Sequence, residues 1–392
     1  MRATLANPDT RRILLAGFTS FFLIGVLLAG YGPAFLDVTR RYGVGLDLAA
    51  LTLTVHFAAS MATVAAAGTL LARFGYRRVF VVAAAVTAAG AVGALIAPSF
   101  AVLLAAVAVV GLGFGLLDVG TNLLIARAFA PNSAPALNVL NATFGLGAVA
   151  GPAAVALAGG RLAGPMAAAA VLSLLLLVFV WRLPEPGRPD AGTGEGGGGD
   201  PDRGNAASGR RRGVPWAVLG FVALVGLYVS SETAVGSWMA LQLTPRLGET
   251  AAATQASLYW AALTVGRLVV APVAARVRPA VLVAATATLA AVAVALTYVP
   301  AWAPAAFLVV GLMYGPIFPT AMAWMQRAYP ARSEQVASVV FAGSGFISVG
   351  TPVLIGAAVE RGGVGVIPTA LLVFGAATAV MALVQGRFVR DT

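Results

Sequence analysis

The sequence has no cysteine, no lysine and a single histidine, His56. Without cysteine there are no disulfides, thiolate metal sites or cysteine nucleophiles. With one histidine a multi-histidine metal centre is excluded. Without lysine there is no phosphate-binding loop of the G-x-x-x-x-G-K-[ST] form, so pumping driven by ATP on this chain alone is not expected. Charge is also scarce. Only 10% of the 392 residues are charged, against roughly a quarter in soluble domains, so the chain cannot wrap two or three soluble cores in a charged surface.

What fills the sequence instead is apolar. Hydrophobic residues make up 60% of it, gathered in runs of about 20, each able to cross a ~30 Å hydrocarbon layer as a helix. The class that fits is an all-α polytopic membrane protein. Twelve spans are expected, at 13–36, 48–71, 79–97, 101–126, 136–159, 165–181, 214–241, 252–275, 280–299, 303–324, 336–359 and 364–384. The first run is too long, and too lacking in a small-residue cleavage site, for a removable signal peptide, and reads as a helix.

The net charge of +11 comes from 25 basic residues, all arginine. They lie in short gaps between apolar runs rather than in a stripe with interleaved aromatics, so they do not form a nucleic-acid groove. Their placement reads as topology. Counting alternate gaps, Arg40, Arg41, Arg161, Arg246 and Arg361 fall on one side, Arg267 falls inside a span, and the other nineteen fall on the side of both termini. Positive residues are retained in the cytoplasm, which puts both termini there and the protein in the cytoplasmic membrane, multi-pass.

Residues 184–213 hold ten glycines, four prolines and almost nothing apolar, the composition of a flexible linker. It separates an N-terminal six-span half, 1–183, from a C-terminal one, 214–392. The halves repeat at an offset of 200 residues. Val109, Val110, Gly111, Leu112 and Gly115 recur as Val309, Val310, Gly311, Leu312 and Gly315, while Arg127, Ala128 and Pro152 recur as Arg327, Ala328 and Pro352. Two parallel six-helix halves joined by a linker make a transporter architecture, with a solute site between the halves near the midplane.

Ionised side chains inside a bilayer are costly and are functional candidates by default. Asp118, Glu232 and Arg267 lie well inside spans. Asp37, Asp47, Glu249, Glu334 and Glu360 lie near span ends, where solvation or helix capping is expected. Gly111, Gly115, Asp118 and Asn122 share one helical face, so a carboxyl there can load a proton from one side and release it to the other. Glu232 has Tyr228 and Gly236 four residues to either side; its alternative is a structural salt bridge with Arg267. Amides, carboxylates and aromatic walls suit a sugar, and Asn122, Asn138, Asn141, Tyr228, Trp238, Gln242, Tyr259, Trp260, Arg267, Tyr314 and Trp324 supply them. His56 reads as a hydrogen-bonded packing residue.

The loop after the second span reads Gly68, Thr69, Leu70, Leu71, Ala72, Arg73, Phe74, Gly75, Tyr76, Arg77, Arg78. It resembles the G-x-L-x-D-R-x-G-R-R/K signature of the major facilitator superfamily, with Ala72 where that family has its acid. The resemblance implies a gating role on the cytoplasmic side for Gly68, Arg73, Gly75, Arg77 and Arg78. Four segments, 111–122, 137–152, 228–243 and 315–320, resemble the fucose–proton symporter branch. There Asp118 matches an essential acid of the fourth helix, and Asn141 stands where a sugar-contacting glutamine is found. Leu28–Gly32, however, lacks the proton-linked aspartate of that branch's first helix.

The expected function is secondary active transport of a small polar solute, a sugar or sugar-like molecule, by alternating access, with Asp118 and Glu232 coupling it to protons. The proton gradient supplies the energy; no cofactor, metal or nucleic acid is implied, and the functional unit is a monomer in lipid. The alternative is a proton-coupled exporter of drugs or metabolites. Gly147-x-x-x-Gly151-Pro152, which matches part of an exporter motif, keeps it open, although a close helix crossing explains those glycines equally well.

Overall fold

The computed structural model describes residues 7–130, 133–185, 216–274 and 276–389, and among these the regular structure is entirely helical. All but the first two residues of the expected linker, 184–213, lie outside the described residues.

Helix α1 (Pro8–Gly30) starts on an Asn7 side-chain cap with proline in its first turn. A 3-10 turn at Gly32–Ala34 leads into a short α2 (Phe35–Tyr42), which Gly43 ends in the left-handed conformation. Helix α3 (Leu46–Ile96) is 51 residues long, roughly 75 Å if straight, more than twice the apolar layer. Gly75, at φ 78° and ψ 164°, breaks it into two spans. Next come α4 (Phe100–Ala128), α5 (Ala134–Leu157) and α6 (Ala163–Val180).

The second half holds α7 (Trp216–Leu247), α8 (Glu249–Ala274), α9 (Pro279–Leu296), α10 (Ala303–Tyr314), α11 (Ile317–Ala328), α12 (Ser333–Val349), α13 (Thr351–Gly362) and α14 (Ile367–Phe388). Helices α10 and α11 are one span interrupted at Gly315–Pro316, and α12 and α13 are one interrupted at Gly350. Their counterparts α4 and α5 run unbroken, α5 even through Pro152. Counted this way, the described residues make the twelve crossings expected, in the fold of two six-helix bundles.

The sequence repeat is a packing repeat. A side chain on Gly111 or Gly115 of α4 would strike the carbonyls of His56 or Ser60 in α3. In the second half, Gly311 and Gly315 stand the same way against the carbonyls of Tyr259 and Leu263 in α8. Small residues let helix backbones approach where apolar burial gives little drive for association. Gly25, Gly147 and Gly151 do the same between α1 and α5, so the glycines of the partial exporter motif make a close helix crossing.

By the count of crossings, the start of α1, the end of α6, the start of α7 and the end of α14 lie at one end of the bundle, here the linker end. The halves are sealed together at the other. There Gly32 lies against the backbone of Ser237, Gly356 against Asp47, and the Phe35 ring 5.1 Å from that of Trp238. Arg40 grips Glu249 through two contacts of 2.5 and 2.6 Å, and Glu360 accepts the N–H of Leu46 at 2.8 Å. Near mid-helix Gly145 still meets Thr264, and Gly345 meets Met61. Toward the linker end Gly68 has open space around it, and Val64, Val139 and Val339 are exposed.

Candidate functional site

The interior of the C-terminal half is organised around Glu232 on α7. Tyr228, one turn earlier, donates its hydroxyl to Glu232 Oε1 at 2.9 Å and lies 3.1 Å from the carbonyl of Tyr314, where α10 ends. Arg267 of α8 reaches the same carboxylate oxygen at 3.4 Å, and the Tyr259 hydroxyl sits 3.4 Å from the Glu232 carbonyl. The three helices thus bring together Tyr228, Glu232, Tyr259, Trp260, Arg267 and Tyr314. The Glu232–Arg267 pair held open from sequence exists, but its spacing is long for a charge-assisted bond. Two buried donors of the cluster, Arg267 Nε and Trp260 Nε1, have no acceptor among the described residues, where buried polar atoms are ordinarily satisfied.

Asp118, on α4 of the other half, is half-buried and pairs with no cation among the described residues. Its contact is within its own helix: Asn122 donates its amide to the Asp118 carbonyl at 3.0 Å and lies 3.4 Å from Oδ1. Helix geometry explains the position. Gly111 and Gly115 press α4 onto the first span of α3, while Thr121 and Ile125 meet Gly17 of α1; Asp118 projects between these two strips. The carboxyl is neither sealed in the bundle nor fully exposed.

The sequence matches the Major Facilitator Superfamily over residues 13–350. The chain belongs to the major facilitator superfamily. No curated protein matches it by sequence. Solved structures share its fold at low identity. A D-xylose-proton symporter aligns with a TM-score of 0.80 at 13% identity over 98% of each chain. The xylose transporter XylE from E. coli, in an inward-open conformation, aligns at 0.76 and 13%, over 97% of this chain and 96% of that one. The nucleoside transporter NupG aligns at 0.72 and 14%, over 98% of this chain and all of that one.

The other candidate residues of this superfamily member are scattered. Asn138 and Asn141 are exposed toward the linker end of α5, with the Asn141 amide donating to the Leu137 carbonyl at 2.9 Å. Gln242 donates to the Thr297 carbonyl at 3.1 Å, which ties α7 to the end of α9. Trp238 is buried in the seal between the halves, and Trp324 is buried edge-on against Phe221. His56 lies 3.1 Å from the Tyr31 hydroxyl and is fully buried.

In the signature loop Gly68, Arg73, Arg77 and Arg78 are exposed; Arg73 lies over Phe74 and Arg77 over Trp181. The acid missing at Ala72 has a neighbour that sequence spacing did not reveal. Glu185, just beyond α6, accepts the N–H groups of Tyr76 and Arg77 at 2.9 and 3.0 Å. Its carboxylate fills the space beside Gly75, where a side chain would both clash and require a strained positive φ.

Proposed function

We propose that this major facilitator transporter is a secondary carrier of a small polar solute, a sugar or sugar-like molecule, working by alternating access in the cytoplasmic membrane as a monomer. The observation that carries the reading is the closure of the halves at the end away from the linker, with Gly68, Val64, Val139 and Val339 open toward the linker end, around a buried acid–base cluster. By the arginine count the open end is cytoplasmic, which makes this the inward-facing state. The solute sits between the halves, with hydroxyls on Glu232, Arg267, Tyr228 and Trp260 from one side and on Asn122 from the other.

Asp118, an acid within a span and without a counter-charge among the described residues, is assigned proton coupling; Glu232 shares it through its bond to Tyr228. The four segments similar to the fucose–proton symporter branch support this assignment, and the loop of Arg73, Arg77 and Arg78 is assigned to cytoplasmic gating. The test is uptake into proteoliposomes under an imposed pH gradient, with a panel of labelled monosaccharides and a panel of amphipathic dyes. Gradient-driven accumulation of a sugar is expected; accumulation of dyes alone would replace this reading with export.

A further inference from the structure

On the linker side of the Glu232 cluster, Arg267, Thr320 and Arg327 wall a cavity of about 180 Å³ together with Pro316, Pro319 and small apolar side chains. Two of its walls are guanidinium-bearing and none carries a carboxylate. Arg267 is turned away from lipid by its helix: three residues earlier Thr264 meets Gly145 of the other half, while Gly266 meets α10. Arg267 lies on the face between these two contacts. Glu232 engages Arg267 through one long contact on Nη2, and Arg267 Nε has no acceptor among the described residues.

Arg327 forms no ion pair among the described residues. Its repeat mate Arg127 is occupied differently, with its guanidinium over the Tyr76 ring; the residue at the offset of 200 from Tyr76 is Arg276. The halves thus differ in what surrounds the two mates: Arg127 lies over a ring, and Arg327 lines the cavity. Two guanidinium groups line the cavity; Glu232 contacts one of them, and Arg327 has no ion pair among the described residues. Arginine forks match planar, bidentate oxyanions better than they match hydroxyls.

We infer that the solute carries an acid group, and that Arg267 and Arg327 hold its oxyanion in this cavity while its hydroxyls reach the Glu232 cluster. The substrate class is then the acidic sugars, uronates and aldonates, rather than neutral ones. This rests on the sugar-like reading above and narrows it.

The test is binding to the full-length protein in nanodiscs, by titration calorimetry, with matched pairs: glucuronate and glucose, galacturonate and galactose. Inorganic phosphate serves as a free oxyanion, and discs of zwitterionic lipid alone are compared with discs containing phosphatidylglycerol. Charge-assisted bonds to one guanidinium predict a loss of about 10- to 100-fold in uronate affinity for Arg327→Gln, with neutral-sugar affinity unchanged and Arg327→Lys intermediate. Arg327 is exposed, so its replacement leaves the core packing alone, and monodispersity on size exclusion checks this.

Equal binding of a neutral sugar and its uronate, insensitive to Arg327→Gln, would overturn the acid-group inference and leave the sugar reading standing. Binding of dyes with no sugar of either kind would overturn both. Phosphate matching the uronate, or uronate binding lost when anionic lipid is present, would reassign the cavity to a free oxyanion or a lipid headgroup and so overturn the inference.

Discussion

Arg40 and Glu249 clasp the two halves at the end away from the linker, two guanidinium nitrogens lying 2.5 and 2.6 Å from the two carboxylate oxygens. The pair is partly exposed, with 57% and 27% of the side chains accessible, so solvent screens it and its contribution is at most about 1 kcal/mol. On the alternating-access reading proposed above, a latch of that size biases the seal without locking it. Arg40→Gln or Glu249→Gln should open the seal roughly two- to fivefold more often. The absence of native cysteine lets a thiol at Ser237→Cys, buried beside Gly32, report this by maleimide labelling. The swapped pair, Arg40→Glu with Glu249→Arg, should restore slow labelling.

Asp118→Asn should uncouple transport while leaving the carrier able to exchange solute. A one-unit pH gradient stores about 1.4 kcal/mol per proton, enough for roughly tenfold accumulation. In the variant the accumulation ratio should fall to about one while counterflow continues. Accumulation at the wild-type level would remove Asp118 from the coupling path.

The glycines on α4 give a contrast within one protein. Gly115→Val drives a branched side chain into the Ser60 carbonyl and should destabilise by about 1–3 kcal/mol or more. Gly68→Ala, in open space, should change stability by less than about 0.5 kcal/mol. Thermal melts in detergent compare the two directly, and equal melts would refute the carbonyl-contact packing.

Glu185→Gln keeps the shape of the cap on Tyr76 and Arg77 but removes its charge. The loss should be about 1 kcal/mol, read as a fall of a few degrees in melting temperature. Backbone amide exchange at residues 75–78 should rise, while exchange in the second half stays as it was.

Much of this architecture is legible in the sequence because a bilayer demands one thing of every span, about 20 apolar residues. The twelve runs and the repeat of Gly111 and Gly115 as Gly311 and Gly315 show without coordinates. So does half of the central cluster: Tyr228 and Glu232 are one helical turn apart, and Arg267 is the one basic residue within a span.

What stays hidden is pairing between distant segments. Capping was expected of the acids near span ends, and Asp37 and Glu360 do cap. Asp37 accepts the N–H of Leu162 at 2.9 Å, and Glu360 that of Leu46 across the halves at 2.8 Å. Which helix start each would serve has no local signal, since the partners are 125 and 314 residues away. The side chain of Glu334 lies outside the described residues. Gln242 and Trp238 carry sugar-binding chemistry by residue type, yet their places are fixed by Thr297 and Phe35, which periodicity along one helix does not reveal.

The interruptions at Gly315–Pro316 and at Gly350 have no equivalent in the first half, whose α4 and α5 are continuous. The bundles share a topology but differ in these two spans, and only the break at Gly315–Pro316 adjoins the Glu232 cluster. On the carrier function proposed above, the second half is therefore the one expected to flex first when a solute leaves.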